Sequence, residues 1–144
     1  MSDAATPFSP APRWRNPPGM PDDLLPYSLS VSFGGLVRTA GLVAMDYSTG
    51  APASHTDFVV QVRATMDNLR QVLDVAGTSL DKVLETSCYL HDMGRWDEMN
   101  AIYLEYFAHP RPVRTTIETR LVPPYLFEIS AVAVAAQTST ADLP

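Results

Sequence analysis

Two charged residues in the last third of the chain have a spacing that suits a site for a small anionic molecule. Arg114 lies in segment 111–118 and Glu128 in the apolar segment 126–134, and both segments are rich in the β-branched and aromatic residues that favour strands. An arginine binds a carboxylate through two parallel hydrogen bonds, and a nearby glutamate can move protons. Successive strands that carry this pair would form a site where a small carboxylate is bound and altered.

Each of these residues also has a purely structural interpretation. Arg114 could form an ion pair with Glu118 or Glu128, because many arginines form exposed ion pairs that contribute little to stability. Glu128 could lie on the solvated face of a strand, alternating with Phe127 and Ile129, because antiparallel sheets often bury only one face. Against this, acidic side chains are rarely buried unless they are paired. The residues alone leave both interpretations open.

The other reactive side chains indicate no further chemistry. Cys88 is the only cysteine and lies in a strand-like apolar segment, so we expect a buried small hydrophobic residue rather than a nucleophile. His55, His91 and His109 are scattered, without the spacing of metal ligands. Gly34-Gly35 has the pattern of a hairpin turn and not of a phosphate-binding loop. The sequence therefore predicts no metal site.

Composition limits the class of protein. A chain of 144 residues with 46% hydrophobic residues fits one globular domain with a sizeable core. The net charge of −6 opposes non-specific binding to nucleic acid, and the apolar runs are too short to cross a bilayer. The N-terminus lacks the pattern of a signal peptide, and one cysteine cannot form an internal disulfide. We therefore expect a cytoplasmic protein with neither a nucleic-acid nor a membrane partner.

The hydrophobic pattern predicts the elements that position these residues. Residues 28–33 alternate polar and apolar side chains, and residues 36–40 return as a second strand after the Gly34-Gly35 turn. A long helix is predicted to begin near Ser54 and to end at Gly77. A third strand, a second helix and two more strands follow, at 82–90, 94–107, 111–118 and 126–134.

The resulting order, ββαβαββ, predicts an α+β fold, a two-layer sandwich with both helices on one face of a five-stranded sheet. Residues 1–26 are rich in proline and are predicted to form an extended arm. Trp14 would anchor that arm against the body or a neighbouring subunit, and a loosely ordered tail fits the pattern equally well. A single domain is predicted over 27–137, followed by a C-terminal tail at 138–144.

Several short motifs, in a fixed order, resemble the RidA/YjgF (Rid) family of reactive-intermediate deaminases. The similarity runs from about Pro26 to Ala136. The motifs are, in chain order, Leu25-Pro26-Tyr27, Thr39-Ala40-Gly41, Met66-Asp67-Asn68-Leu69, Asn100-Ala101-Ile102-Tyr103 with Tyr106-Phe107, and Pro112-Val113-Arg114-Thr115-Thr116 followed by the strand that contains Glu128. Each motif is weak alone, and their ordered combination is specific.

This resemblance implies a chorismate-mutase-like α+β domain with a mixed sheet, assembled as a homotrimer with clefts between subunits. It implies hydrolysis of a small-molecule carboxylate enamine or imine, such as 2-aminoacrylate or 2-iminopropanoate, to a 2-keto acid and ammonia, without a cofactor. By the same resemblance, Arg114 would hold the substrate carboxylate, and Glu128 would position or activate water and handle protons. The further substrate-binding residues that it implies are Tyr27, Ala40, Gly41, Asn100 and Thr116.

Three positions differ from the best-known members of this family. Ala40 stands where serine is common, Leu42 where glutamine is common, and Thr116 where cysteine is common. These differences favour a substrate that is larger or less polar than 2-iminopropanoate, and a 2-aminomuconate-type deaminase of aromatic catabolism is one such alternative. A non-catalytic module that binds keto acids or other small carboxylates is a second. A ribonuclease is a third, opposed by the acidic charge and the lack of a basic, aromatic-lined patch.

Overall fold

The computed structural model describes residues 11–136, so the start of the predicted arm and the predicted tail at 138–144 lie outside the described residues. Within that range there are two α-helices, α1 (Phe58–Val75) and α2 (Trp96–Tyr106). The six strands of the same range are β1 (Arg13–Arg15), β2 (Ser30–Phe33), β3 (Leu36–Thr39), β4 (Val83–Leu90), β5 (Val113–Glu118) and β6 (Phe127–Val134). The predicted order ββαβαββ is confirmed, with one additional strand before it.

The strands form one mixed sheet with the order β1-β2-β3-β6-β4-β5. Neighbouring strands are antiparallel except β4 and β5, which are parallel. The parallel pair is joined through α2, because parallel strands need a crossover connection. Both helices pack on one face, which confirms the predicted two-layer α+β sandwich. Neither helix in residues 11–136 is long and apolar enough to span a membrane.

The two faces of the sheet follow from the alternation of side chains along its central strands. In β6, every second residue is buried beneath the helices, namely Phe127, Ile129, Ala131 and Ala133. The helices cover this side with buried apolar residues that include Val62, Met66, Leu69, Leu73, Met99 and Ile102. We call this side the helix face and the other side the open face. Strand register then assigns each strand residue to one of the two faces.

The hairpin and the start of α1 follow local rules. Gly34 and Gly35 have φ angles of 63° and 82°, the left-handed pair that a two-residue hairpin turn needs, and the predicted hairpin is confirmed. The first helix begins later than predicted, because Asp57 is its N-cap and accepts a hydrogen bond of 3.0 Å from the backbone of the first turn. The hydroxyl of Ser54 accepts a hydrogen bond from the Asp57 N–H at 2.9 Å, in the turn before the helix.

The proline-rich arm contributes a strand that the sequence pattern does not indicate. Arg13–Arg15 pairs with β2, so the sheet has six strands rather than the predicted five. A three-residue strand is too short to show alternation, which explains the difference. The side chain of Asn16 accepts a hydrogen bond of 2.8 Å from the Leu29 N–H and holds the arm against the hairpin. Trp14 stays 65% exposed on the open face.

Candidate active site

Arg114 lies on the helix face of β5, opposite the buried Thr86 of β4. Its guanidinium carbon lies between two aromatic rings of α2, 5.0 Å from the ring centroid of Trp96 and 4.8 Å from that of Tyr103. Its Nη2 donates a hydrogen bond of 2.7 Å to Oδ1 of Asn100. Both rings attract the cation through their π faces. The guanidinium is therefore oriented by the chain itself, before any ligand binds.

The spacing of residues in α2 produces this arrangement. Trp96, Asn100 and Tyr103 are four and three residues apart, so they share one side of the helix. The hydroxyl of Tyr103 is hydrogen-bonded to that of Thr86 at 2.7 Å, and its ring lies 4.6 Å from the ring of Phe107. Burial raises the pKa of Tyr103, so the phenol stays neutral at physiological pH. The position of the Tyr103 ring is thus fixed by Thr86 of β4 and by Phe107.

Within residues 11–136, no carboxylate forms an ion pair with Arg114. Glu118, one of the two partners that the sequence suggested, instead accepts a hydrogen bond of 2.7 Å from the Met93 N–H. Thr116 lies two residues further along the same face, and its buried hydroxyl has no hydrogen-bond partner in the described part of the chain. Half-buried charges and buried hydroxyls usually have partners. The pair therefore offers a cation and a polar group to an anionic ligand.

Glu128 lies on the open face, opposite Tyr89 of β4. Because β4 separates β5 from β6, the two charged residues are not on neighbouring strands. Arg114 is level with Thr86, three residues before Tyr89, and an odd number of residues along a strand reverses the face. The strands that carry Arg114 and Glu128 follow each other in the sequence, but one chain does not bring the two side chains together. The hydrophobic pattern does not encode this strand order.

Gly41 makes room for the Glu128 carboxylate. A Cβ placed on Gly41 would lie 2.6 Å from Oε2 of Glu128, which is shorter than real Cβ contacts. The next residue, Leu42, exchanges two backbone hydrogen bonds with Ile129, of 2.7 and 3.0 Å, which hold this segment beside β6. No hydrogen bond within residues 11–136 uses the Gly41 N–H. A free backbone donor therefore lies next to the carboxylate.

Burial raises the pKa of the Glu128 carboxyl above its ordinary value. The carboxylate forms no ion pair within residues 11–136. Tyr27, Tyr125 and Glu128 lie close enough to Tyr47 to act on it electrostatically, and burial raises the pKa of Tyr47 to about 12. A glutamate whose pKa is raised toward neutrality is suited to accepting and donating protons.

Two further predicted site residues are Tyr27, which like Glu128 acts electrostatically on Tyr47, and Ala40. They line a cavity of about 350 Å³ at the edge formed by β1, β2 and β3. Tyr27 is 51% exposed, and Ala40 directly precedes Gly41.

The structure thus divides the predicted site residues into two groups. We call Arg114, Asn100 and Thr116, with Trp96 and Tyr103, the arginine half-site, and we call Glu128, Gly41, Ala40 and Tyr27 the glutamate half-site.

Trp96 was not predicted as a site residue, and Tyr103 was predicted only as part of a motif, without a role at the site. Helical spacing from Asn100 was the available signal, because residues three and four positions away share its side of the helix. Cys88 is fully buried, and burial raises the pKa of its thiol to about 11, as expected for a structural cysteine. In the described part of the chain, no cluster of three or more His, Cys, Asp or Glu side chains could hold a metal ion.

Comparison with known proteins gives consistent matches over both half-sites. The sequence model of the family described as endoribonuclease L-PSP matches residues 19–135. A RutC family protein of Pyrococcus horikoshii is 35% identical over 114 residues, which cover 78% of this chain and 90% of that protein. A solved structure named endoribonuclease L-PSP, from Entamoeba histolytica, has a TM-score of 0.78 and 30% identity, covering 86% of this chain and 99% of that one. YyfA of Yersinia pestis, from the conserved Rid protein family, has a TM-score of 0.79 and 28% identity, covering 87% and 100%.

Proposed function

The chain belongs to the RidA/YjgF (Rid) family, also described as endoribonuclease L-PSP, and on that premise we propose that it hydrolyses enamines or imines of small carboxylic acids. An enamine first gains a proton on its β-carbon and loses one from its nitrogen, which gives the imine. Water then adds to the carbon of the C=N bond, the nitrogen gains protons, and the C–N bond breaks to leave a carbonyl group and ammonia. The products are a 2-keto acid, or a related carbonyl compound, and ammonia. One observation carries the proposal, namely the half-buried Arg114, held in a fixed orientation without a carboxylate partner in residues 11–136.

Arg114 binds the substrate carboxylate in this proposal. A guanidinium has five N–H donors, and one of them is used by Asn100. The remaining donors can form the two parallel hydrogen bonds that a carboxylate accepts. The unpartnered hydroxyl of Thr116 lies on the same face, two residues along the strand. Binding at a preorientated group places the C=N bond in one position, which lowers the entropic part of the reaction barrier.

Glu128 carries out the proton transfers. An imine carbon is electrophilic once its nitrogen is protonated, so the protein needs only to orient the substrate, deliver a water molecule and move protons. In its ionised form Glu128 takes a proton from the attacking water, and it then returns that proton to the leaving nitrogen. The raised pKa of Glu128 brings these two states closer in energy near neutral pH. The free N–H of Gly41 can donate a hydrogen bond to the reacting group.

A second copy of the chain joins the two half-sites in this proposal. Arg114 and Glu128 project from opposite faces of one sheet, which supports a pair that comes from two subunits. The open face exposes several large apolar side chains, which assembly would cover. They include Phe33, Val113, Ile117 and Val134. We expect a homotrimer, with the reaction in the cleft between neighbouring subunits.

Imine hydrolysis tests the reaction. The imine 2-iminopropanoate is generated in solution by an amino-acid oxidase, and the imine that remains is trapped by semicarbazide. We expect the full chain to accelerate the loss of imine, and we expect Arg114→Ala and Glu128→Gln to abolish the acceleration. If neither this imine nor longer ones derived from leucine and from glutamate are hydrolysed faster than in buffer, the catalytic proposal is wrong.

Mixing the two inactive variants tests the intersubunit site. A trimer that contains both Arg114→Ala and Glu128→Gln chains has one interface with a native arginine and a native glutamate. Random exchange of equal amounts should therefore restore about a quarter of the wild-type activity. A site within one chain would recover nothing after demonstrated exchange. A sedimentation mass near that of one 15.8 kDa chain would rule out the trimer directly.

Two rival functions give different outcomes in the same experiments. A non-catalytic carboxylate-binding module would bind 2-ketobutyrate in a manner lost in Arg114→Ala and kept in Glu128→Gln, without any hydrolysis. The ribonuclease activity in the family description has weaker support in this chain, because its net charge of −6 opposes binding to phosphates. RNA binding that weakens with rising salt concentration would favour that activity instead.

A further inference from the structure

A second arginine lies beside the glutamate half-site, and the proposed reaction does not use it. Arg38 projects from the open face of β3, level with Val31 of β2 and Val132 of β6. It is exposed, and within residues 11–136 its guanidinium forms neither an ion pair nor a hydrogen bond. A charged side chain in the middle of a sheet, between two valines, adds nothing to apolar packing across the strands. Its guanidinium is therefore available to an anionic ligand.

Two cavities meet at Arg38. The larger, of about 350 Å³, is the one that reaches Tyr27 and Ala40 of the glutamate half-site. Trp14 of the arm forms another part of its wall. The smaller cavity, of about 220 Å³, lies on the other side of Arg38 and is lined in part by Glu85, Ser87 and Ser130. The guanidinium thus lines a space that Tyr27 and Ala40 of the glutamate half-site also line.

We infer that Arg38 binds a second anionic group of the substrate, so that the preferred substrates are enamines or imines of dicarboxylic acids. This inference rests on the proposed function, because Arg114 holds the first carboxylate. The aromatic rings of Trp14 and Tyr27 provide flat apolar walls for the carbon chain between the two anionic groups. Ala40, which also lines this cavity, directly precedes Gly41, where an added Cβ would lie 2.6 Å from Oε2 of Glu128.

Strand geometry sets the length of such a substrate. Arg38 precedes Gly41 by three residues, a rise of roughly 10 Å along an extended backbone. A substrate whose C=N bond lies at Glu128 therefore needs a chain of several carbons to place its second carboxylate on Arg38. The residues at 40, 42 and 116 predict a substrate that is larger or less polar than 2-iminopropanoate. Arg38 favours the larger substrate, with an anionic group at the end that is distant from the C=N bond.

Glu85 is the rival partner for Arg38. Both residues are level with Val132, on the strands that flank β6. Two long side chains can approach each other across one residue, and both line the smaller cavity. A structural pair of Arg38 and Glu85 would stabilise the fold or the assembly without affecting the choice of ligand. The test must therefore measure ligand preference and stability together.

Calorimetric titration of the full chain with two product-like probes measures that preference. The probes are 2-oxobutanoate (2-ketobutyrate), with one carboxylate, and 2-oxoadipate, with two. We expect 2-oxoadipate to bind at least about tenfold more tightly, because a charged hydrogen bond contributes that much or more. Arg38→Gln should lower the affinity for 2-oxoadipate to that of 2-oxobutanoate. Arg120→Gln, which changes an exposed arginine in the loop before β6, is the matched control and should keep the preference.

A fluorescence measurement gives an independent readout that needs no Arg38 variant. The chain has two tryptophans, Trp14 in the larger cavity and Trp96 beside Arg114. In Trp96→Phe, Trp14 is the only tryptophan. Its emission should change when 2-oxoadipate is added and should not change with 2-oxobutanoate. A change with both probes, or with neither while both bind, contradicts the proposed contact.

The outcomes separate this inference from the proposed function. Equal affinity of the wild type for the two probes would overturn the dicarboxylate preference and leave carboxylate binding by Arg114 intact. A preference that survives Arg38→Gln would also overturn it, and equal losses of melting temperature in Arg38→Gln and Glu85→Gln would then identify a structural pair. If the wild type binds neither probe, carboxylate binding fails, and the second subsite fails with it.

Discussion

The two half-sites differ in how much of their structure one chain provides. In the arginine half-site, the cation lies between two aromatic rings and is hydrogen-bonded to Asn100, and the hydroxyl of Thr86 fixes Tyr103. In the glutamate half-site, the Glu128 carboxylate forms no ion pair in residues 11–136. It occupies space that is available because Gly41 has no Cβ. Contacts within one chain fix the orientation of Arg114. The chain leaves space for Glu128 without fixing its orientation by an ion pair.

This difference matches the chemistry that each half would perform. A group that binds a carboxylate gains from a fixed orientation, because less conformational entropy is lost on binding. A group that transfers protons gains from a pKa closer to neutrality, and burial without a partner raises the pKa of Glu128 in that direction. The unpartnered carboxylate lowers the stability of the fold, and such exceptions to good packing concentrate at functional sites. The comparison therefore supports binding on the helix face and proton transfer on the open face.

Replacing Arg114 should have the largest effect and tests whether binding depends on the preorganised half. In Arg114→Ala, kcat/KM for imine hydrolysis should fall at least about 30-fold, because the loss of one partner of a desolvated charge pair costs roughly 2–5 kcal/mol. Arg114→Lys should recover little, since a lysine lacks the planar fork that fits a carboxylate. Steady-state kinetics beside Arg120→Ala as a control measure the effect. Full activity in Arg114→Ala would remove the arginine half-site from the mechanism.

Gly41→Ala tests whether the glutamate half-site depends on space rather than on contacts. The new Cβ would lie 2.6 Å from Oε2 of Glu128, so the carboxylate has to move. We expect kcat to fall by about tenfold to 100-fold, because small displacements of reacting groups have effects of that order. The matched control is Gly94→Ala, where the new Cβ would meet a flexible Asp92 oxygen at 3.0 Å. Equal kinetics in the two variants would show that the position of the carboxylate is not critical.

Variants of the aromatic sandwich should have smaller effects, and they distinguish orientation from stability. Trp96→Ala removes one ring from Arg114, and we expect KM to rise a few-fold to about tenfold, in line with roughly 0.5–2 kcal/mol for a cation–π contact. Trp96→Phe should restore most of the affinity. Tyr103→Phe keeps the second ring but breaks the hydrogen bond to Thr86, so it should cost about 1 kcal/mol of unfolding free energy with little change in KM. Wild-type values of both kcat and KM in Trp96→Ala would contradict a positioning role.

The sequence predicted the elements well, because local rules determine them. The two glycines at 34 and 35 require a hairpin, and the alternation along β6 correctly separates the residues of its two faces. The short strand Arg13–Arg15 escaped prediction because its pairing with β2 depends on tertiary contacts and not on a pattern of its own. Trp96 could have been predicted, because it lies four residues before Asn100 and therefore shares its side of the helix.

The strand order was beyond the reach of these rules. Alternation shows which residues of a strand share a face, but it does not show which strands are neighbours. Because β4 lies between β5 and β6, Arg114 and Glu128 are separated within the chain, although both strands were predicted correctly. The environment of each charged residue could likewise not be predicted, since the rings around Arg114 and the gap at Gly41 come from distant segments.

The smallest expected effect is a change in the unfolding free energy of Glu128→Gln. Measuring this change tests whether Glu128 lacks a partner. Burial raises its pKa in the folded state above the unfolded value of about 4.3, so the ionised form destabilises the native state. This penalty is fully present above the folded pKa and disappears as the pH falls below the unfolded pKa. Glu128→Gln should therefore be more stable at pH 7 by roughly a few tenths of a kcal/mol, since solvent screens a half-buried carboxylate, and the gain should vanish by about pH 4.

Glu105→Gln provides a control of opposite sign for the same thermal unfolding series. The ion pair with Arg63 lowers the pKa of Glu105, so its contribution to stability is present above the unfolded pKa and is lost as the pH falls through the folded pKa. That variant should be less stable at pH 7 and equal to the wild type in acid. If Glu128→Gln were also destabilised at pH 7, its carboxylate would have a stabilising partner in a neighbouring subunit. The glutamate half-site would then be as complete in the assembly as the arginine half-site is in one chain.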